Sequence, residues 1–301
     1  MIEHLKTIEH QLNQVILGKP VQIRLALTAL LAGGHVLLED LPGMGKTTLA
    51  HALAHSLGLS YRRVQFTSDL LPADLTGFNI FDARTQQFSF QPGPLFSQVL
   101  LADEINRASP KTQSALLEAM EEQQVSVDGM TRELPDPFFV IATQNPQHHA
   151  GASALPESQL DRFMIRLSLG FPDRTAELQL LKENISVRYQ HIAALPDPTL
   201  LLDWQKQVNS VHTSDVLLNY LLDLVDASRG RRDMEALSPR ASQALLRACK
   251  AHAFMNGRQF VTADDVRLLF APVCQHRLQP RSQAGDDSAS QQLLHTVPCN
   301  I

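Results

Sequence analysis

Cysteine is scarce in this 301-residue chain. Only Cys249, Cys274 and Cys299 occur, an odd set with no C-x-x-C spacing. That excludes a disulfide framework and a cysteine-based zinc site, and it points to a reducing compartment. Aromatic residues are also few, at 6%, with a single Trp. Leu and Ala dominate instead, which suits helices better than a β-sandwich. There is no excess of positive charge: 26 Lys and Arg face 31 Asp and Glu, for a formal net charge of −5. This argues against a basic nucleic-acid footprint over the whole surface. Long apolar runs are missing too. The most apolar stretch, residues 25–38, is broken by Thr28, Gly33, Gly34 and His35 and is too short to span a bilayer. The opening Met1-Ile2-Glu3-His4-Leu5-Lys6 lacks the basic and apolar regions of a signal peptide, so a cytoplasmic location without membrane insertion is expected.

What is present is a foldable composition. Apolar residues make up 44%, enough for a sizeable core. At roughly 150 residues per domain, the length suggests two domains. Five short apolar runs read as buried strands: residues 35–39, 64–66, 99–102, 138–142 and 163–167. Helical patterns lie between several of them, at 47–57 and 111–122. Strands alternating with helices predict an α/β fold: a five-stranded parallel sheet in a three-layer αβα core. Residues 78–90 and 124–134 read as β-hairpins, the second with Asp128-Gly129 as its turn. After Phe171-Pro172-Asp173 the pattern becomes helical. The expected division is therefore an α/β unit over 1–172 and a smaller helical unit over 173–301. Thr262-Ala263-Asp264-Asp265 is a capping-box-like helix start, and residues 279–290 read as a polar loop.

Between the first strand and the next helix runs Asp40-Leu41-Pro42-Gly43-Met44-Gly45-Lys46-Thr47-Thr48. Small residues there let backbone N–H groups curl around phosphate oxygens. Lys46 would reach the β- and γ-phosphates of ATP, and Thr47 would ligate Mg²⁺. Asp40 departs from the G-x-x-x-x-G-K-[ST] pattern, standing where its first Gly belongs. A second strand ends in Asp103-Glu104. A phosphate-loop nucleotidase needs one carboxylate near its metal and a group that activates water, roles that suit Asp103 and Glu104 respectively. Thr143-Gln144-Asn145 follows the fourth strand, where the neutral amide of Asn145 could bond the γ-phosphate or the attacking water.

These motifs together resemble those of AAA+ ATPases. Gly43-Met44-Gly45-Lys46-Thr47 resembles a Walker A motif and Leu100-Leu101-Ala102-Asp103-Glu104 a Walker B. Asn145 falls at the sensor 1 place. Leu155-Pro156-Glu157-Ser158-Gln159-Leu160-Asp161-Arg162-Phe163 resembles the arginine-finger segment, and Leu237-Ser238-Pro239-Arg240-Ala241 the sensor 2 segment. The wording of Asp103-Glu104-Ile105-Asn106-Arg107-Ala108 is similar to the MoxR family, in which an Asp at position 40 is familiar. The resemblance implies an AAA+ core with a helical lid, and a homo-oligomeric ring, expected to be a hexamer, with ATP between subunits. It also implies a chaperone-like ATPase acting on a protein client, often with a von Willebrand factor A domain partner.

In that arrangement Arg162 would stabilise charge on a neighbour's γ-phosphate, with Arg107 as the other candidate. Arg240 would tie the lid to the γ-phosphate. Ile16, Leu17 and Gly18 are candidates for the adenine pocket, with ordinary core packing as the alternative. Three other functions compete with an ATP hydrolase. They are an ATP-gated assembly scaffold with slow hydrolysis, a nucleic-acid translocase, which the acidic charge disfavours, and a metabolic kinase.

Overall fold

The computed structural model describes residues 2–145, 155–182, 188–190, 192–195, 197, 199–278 and 288–299. The chain opens with α1 (Ile2–Val15), whose buried Leu5, Ile8, Leu12 and Val15 recur at helical spacing along one face. Next comes α2 (Pro20–Leu31), with Pro20 at its first position, where the missing N–H costs nothing. The residues that looked like one broken apolar stretch are thus the end of α2, a turn and the first strand.

The core follows as β1 (Val36–Glu39), α3 (Lys46–Ser56), β2 (Tyr61–Gln65), α4 (Pro72–Thr76), the hairpin strands β3 (Gly77–Asp82) and β4 (Gln87–Pro92), β5 (Val99–Asp103) and α5 (Pro110–Glu122). Then come the hairpin strands β6 (Gln124–Val127) and β7 (Met130–Glu133), β8 (Phe139–Gln144), α6 (Glu157–Leu160) and β9 (Ile165–Leu167). Five strands form one parallel sheet in the order β2-β5-β8-β1-β9. Its central strands β5 and β8 are buried along their whole length, as expected of strands covered on both faces. β1 pairs in parallel with both β8 and β9. The carboxy-terminal ends of β1, β5 and β8 therefore meet at one edge.

Both expected hairpins are present, and they touch. Asn79 Nδ2 donates to Asp128 Oδ2 at 2.6 Å, and the Arg132 guanidinium lies 3.9 Å over the Phe90 ring. Asp128 and Gly129 both take positive φ, as a tight hairpin turn requires.

The remaining helices are α7 (Arg174–Lys182), α8 (Thr199–Asn209), α9 (Asp215–Arg229), α10 (Pro239–Met255), α11 (Ala263–Cys274) and α12 (Ala289–Thr296). Ser214, Ser238 and Ser288 cap α9, α10 and α12 by accepting backbone N–H bonds. The Thr262 N–H donates to Asp265 Oδ2 at 2.8 Å, the reciprocal half of the expected box at the start of α11. α2 packs against β9 on one side and against α8 and α10 on the other, so it is a shared wall between sheet and helical part. Gln205 Nε2 adds a bond to the Leu30 carbonyl at 2.8 Å. Of the expected polar loop, residues 279–287 lie outside the described residues.

Candidate functional site

The phosphate loop leaves β1 at Asp40 and enters α3 at Lys46. Gly43 and Gly45 take φ of +85° and +89°. A Cβ at either would meet nothing within 4 Å, so backbone conformation, not crowding, demands glycine there. Pro42, Gly43, Gly45, Lys46, Thr47 and Thr48 line one wall of a cleft of about 370 Å³. Asp103, Glu104 and Asn145 line the other, together with Arg63 and Gln65 from β2.

Within this cleft the polar groups form a connected chain. Lys46 Nζ donates to the Asp40 carbonyl at 2.7 Å and to Asn145 Oδ1 at 3.3 Å. Asn145 Nδ2 donates to Glu104 Oε1 at 2.9 Å. Glu104 Oε2 accepts from Gln65 Nε2 at 2.9 Å and from Arg107 at 2.7 Å. Asp103 is held by the Thr143 hydroxyl at 2.6 Å and by Arg63 at 2.6 Å. Burial pulls the Lys46 ammonium below its ordinary pKa, and Asp40, Asp103 and Glu104 oppose that pull. Glu104 sits at φ +56°, a conformation uncommon for a non-glycine residue, which turns its side chain off the strand end.

Among the described residues no group of three or more His, Cys, Asp or Glu is placed to hold a metal. The Thr47 hydroxyl and the Asp103 carboxylate do line the same cleft. That oxygen-only pair suits Mg²⁺, which keeps waters and takes phosphate oxygens as its other ligands.

A second, more apolar cleft of about 260 Å³ adjoins the first through Gly43, Gly45 and Thr48. Ile16, Leu17 and Met44 line it, with Pro172, Leu180 and Arg188. Gly18 is not among its lining residues; with φ +71°, it packs where a Cβ would lie 3.0 Å from the Ala176 Cβ. Leu41 lines neither cleft and is exposed.

Two residues sit elsewhere than the motif reading expects. The carboxylate of Asp40 is buried and turned away from the phosphate cleft. It accepts from the Ser168 hydroxyl at 2.7 Å and from the Leu169 and Gly170 N–H groups at 2.6 and 3.0 Å. Asp40 thus contributes its carbonyl to Lys46 and its side chain to the segment after β9.

Arg240 is the second. It shares one carboxylate, Glu121, with Arg162. Both arginines line a further cleft of about 430 Å³, together with Gly33, Gly34 and His35. Those three residues precede β1, and Arg162 precedes β9, whose Ile165 pairs with Val36. This cleft is therefore at the amino-terminal edge of the sheet, separated from the phosphate loop by the length of β1, roughly 13 Å at 3.3 Å per residue. Arg240 does not reach its own phosphate cleft here. Arg107 does lie at that cleft's edge, paired with Glu104.

Sequence reasoning missed Arg63, Gln65, Glu121 and Arg188. Arg188 is buried, lines the apolar cleft and donates to the Val15 carbonyl at 3.1 Å. None of these carries a local motif: Arg63 and Gln65 come from strand β2, Glu121 from the end of α5, and Arg188 from the chain's return through the helical part.

Comparison with known proteins agrees with this geometry. Residues 35–165 match the family model for ATPases associated with various cellular activities (AAA), and residues 235–297 match an AAA lid domain. The chain is 45% identical to the uncharacterized protein YeaC of Bacillus subtilis, over 93% of this chain and 88% of that protein. It is 35% identical to the chaperone MoxR1 of Mycobacterium tuberculosis, over 94% and 78%. The crystal structure of a Cytophaga hutchinsonii protein superposes with a TM-score of 0.89 at 34% identity, covering 99% and 95% of the two chains. Sheet order, phosphate loop, strand-end carboxylates and these relatives converge: the chain belongs to the MoxR family of AAA+ ATPases.

Proposed function

We propose that the chain is a Mg²⁺-dependent ATP hydrolase that works as a hexameric ring in the cytoplasm and remodels or activates a protein client. A von Willebrand factor A domain protein is the partner class that this reading implies. The boundary near residue 172 then separates a nucleotide-binding core from a lid. The observation that carries the reading is the connected set Lys46, Asn145 and Glu104 lining one cleft with Thr47 and Asp103. Lys46 and the loop N–H groups bind phosphate oxygens. Bound Mg²⁺, on Thr47 and Asp103, would offset the charge of those oxygens. Glu104 orients and deprotonates the attacking water, and Asn145 fixes the Glu104 carboxylate. Ile16 and Leu17 are set beside the loop to take the adenine.

Arg162 belongs to the opposite edge of the sheet, so its partner phosphate is one held by a neighbouring subunit. Because Arg240 is tied to the same Glu121, it acts from the same side, across the interface rather than on its own nucleotide.

One observation favours the scaffold reading as a second choice. Both oxygens of Glu104 are taken by Gln65, Arg107 and Asn145, an arrangement that would slow water activation until it loosens. A steady-state ATPase assay with Glu104→Gln as control separates the two. Turnover that the variant loses while still binding ATP supports the hydrolase. A parental chain no faster than Glu104→Gln supports the scaffold.

A further inference from the structure

Glu121 lies in the last turn of α5, where the core meets the helical part. Its Oε2 forms an ion pair with Arg162 Nη2 at 3.1 Å, and its Oε1 accepts from Arg240. A second carboxylate fastens the flanking backbone. Asp161 accepts from the Ser238 hydroxyl at 3.0 Å and from Arg277 Nε at 2.7 Å. Arg277 also donates to the carbonyls of Asp161 and Phe163, at 2.9 and 2.8 Å. Ser238 caps α10 two residues before Arg240. The two peptides that carry Arg162 and Arg240 are thus joined through Asp161, and among the described residues Glu121 is the one that pairs with both guanidiniums.

The charges in this cleft do not balance. Among the described residues lining it, Arg162, Arg240, Arg247 and Arg277 meet two carboxylates, Glu121 and Asp161, a formal excess of two positive charges. The Nε of Arg162 is buried without a hydrogen-bond partner. A cleft of this sign, with an unsatisfied donor, favours an oxyanion. Two guanidiniums near each other repel, so without a shared counter-ion they would separate. Each carries five N–H donors and can keep one carboxylate bond while donating to a second acceptor. The oxygens of a carboxylate are spaced much like two oxygens of a phosphoryl group, and Arg recognises both in the same forked manner. The spacing that Glu121 imposes is therefore a spacing suited to phosphate.

We propose that Glu121 is the positioning residue that yokes Arg162 and Arg240, so that the pair meets a phosphoryl group on a neighbouring subunit as one unit. This rests on the reading that Arg162 acts across a subunit interface. Lid and finger loop then respond together, because a shift of either guanidinium moves the other through the shared carboxylate.

The test uses the full chain under assembling conditions. Glu121→Gln keeps the side-chain shape and removes the charge. It should lower kcat about 3- to 10-fold, the scale of losing two partly exposed ion pairs, with KM unchanged and the melting temperature lowered by at most a few degrees. Coupling is the sharper readout. With Glu121 present, Arg162→Ala and Arg240→Ala combined should cost less than the product of their separate fold-losses. In a Glu121→Gln background the two losses should multiply. A parental kcat for Glu121→Gln, while Arg162→Ala is impaired, overturns the yoke. So does coupling of the same size with and without Glu121. If Arg162→Ala alone hydrolyses at the parental rate, the interface reading fails instead, and the two failures remain distinct.

Discussion

Asp40 grips the backbone N–H of Leu169 at 2.6 Å. That contact fixes the start of the phosphate loop to the chain leaving β9, on the neighbouring strand of the sheet. An Asp in place of the expected Gly exchanges local freedom for a tertiary anchor. Asp40→Ala would leave the Leu169 and Gly170 N–H groups without their partner. Hydrogen bonds to a charged group are worth about 1.5–3 kcal/mol, so a net loss of about 3 kcal/mol is expected. The melting temperature should fall by roughly 5–10 °C. An unchanged melting curve would contradict the anchoring role.

Lys46 is buried against Asn145 and the Asp40 carbonyl. Lys46→Ala should weaken ATP binding by roughly 10- to 150-fold, the size of one charge-assisted contact of about 1.5–3 kcal/mol. The fold should survive, because burial disfavours the ammonium that the variant removes. Nucleotide titration decides: equal affinity in parent and variant would sink the assignment.

Arg162 gives a test that depends on assembly. Arg162→Ala should bind nucleotide normally and lose hydrolysis, by on the order of 10³–10⁵ where arginine fingers have been measured. Mixing it with Glu104→Gln chains should restore part of the activity. Some interfaces would then pair an intact Glu104 with an intact Arg162. ATPase rates across mixing ratios, under subunit exchange, check this. A strictly additive decline in confirmed mixed assemblies would reject the trans role and bring forward Arg107.

His35 predicts an acid sensitivity. Its Nδ1 accepts the Val140 N–H at 3.0 Å, so the ring proton is on Nε2, which meets the Met120 carbonyl at 3.2 Å. Burial pushes the imidazole down to about 4, and Arg247 adds to that shift. As pH falls, the unfolded chain binds the proton first, near 6.5. Stability is therefore complete above that value and is lost down to about pH 4, by about 3 kcal/mol from this group. His276, buried and likewise pushed down, works in the same direction. Denaturant midpoints between pH 7 and 4 measure the slope, which His35→Gln should flatten. An equal slope in the variant would remove His35 from the account.

Much of this was legible because it is local. The apolar runs 35–39, 99–102 and 138–142 mark the strands whose ends build the phosphate cleft. Gly43, Gly45 and the Asp128-Gly129 turn announce positive φ in the residue types themselves. The sequence marks β2 only at residues 64–66, because the exposed charged Arg62 and Arg63 on this edge strand hide its first half. Position 40 misled because its carboxylate answers to residues 168–170, far along the chain. Arg240 misled for a similar reason. Its motif predicts contact with phosphate, but the structure pairs it with Glu121 beside Arg162, which no pattern around Arg240 reveals.

The placement of the two polar clefts at opposite ends of β1 has a genetic consequence. In a ring closed by such contacts, a chain damaged at Arg162 keeps its own phosphate cleft and impairs the one next to it. A chain damaged at Glu104 does the reverse. The Arg162 defect would spread to a sound neighbour in a mixed population, while the Glu104 defect would stay in its own cleft. Arg162 losses would therefore behave as dominant when both chains are made together, whereas a chain too unstable to assemble would be recessive.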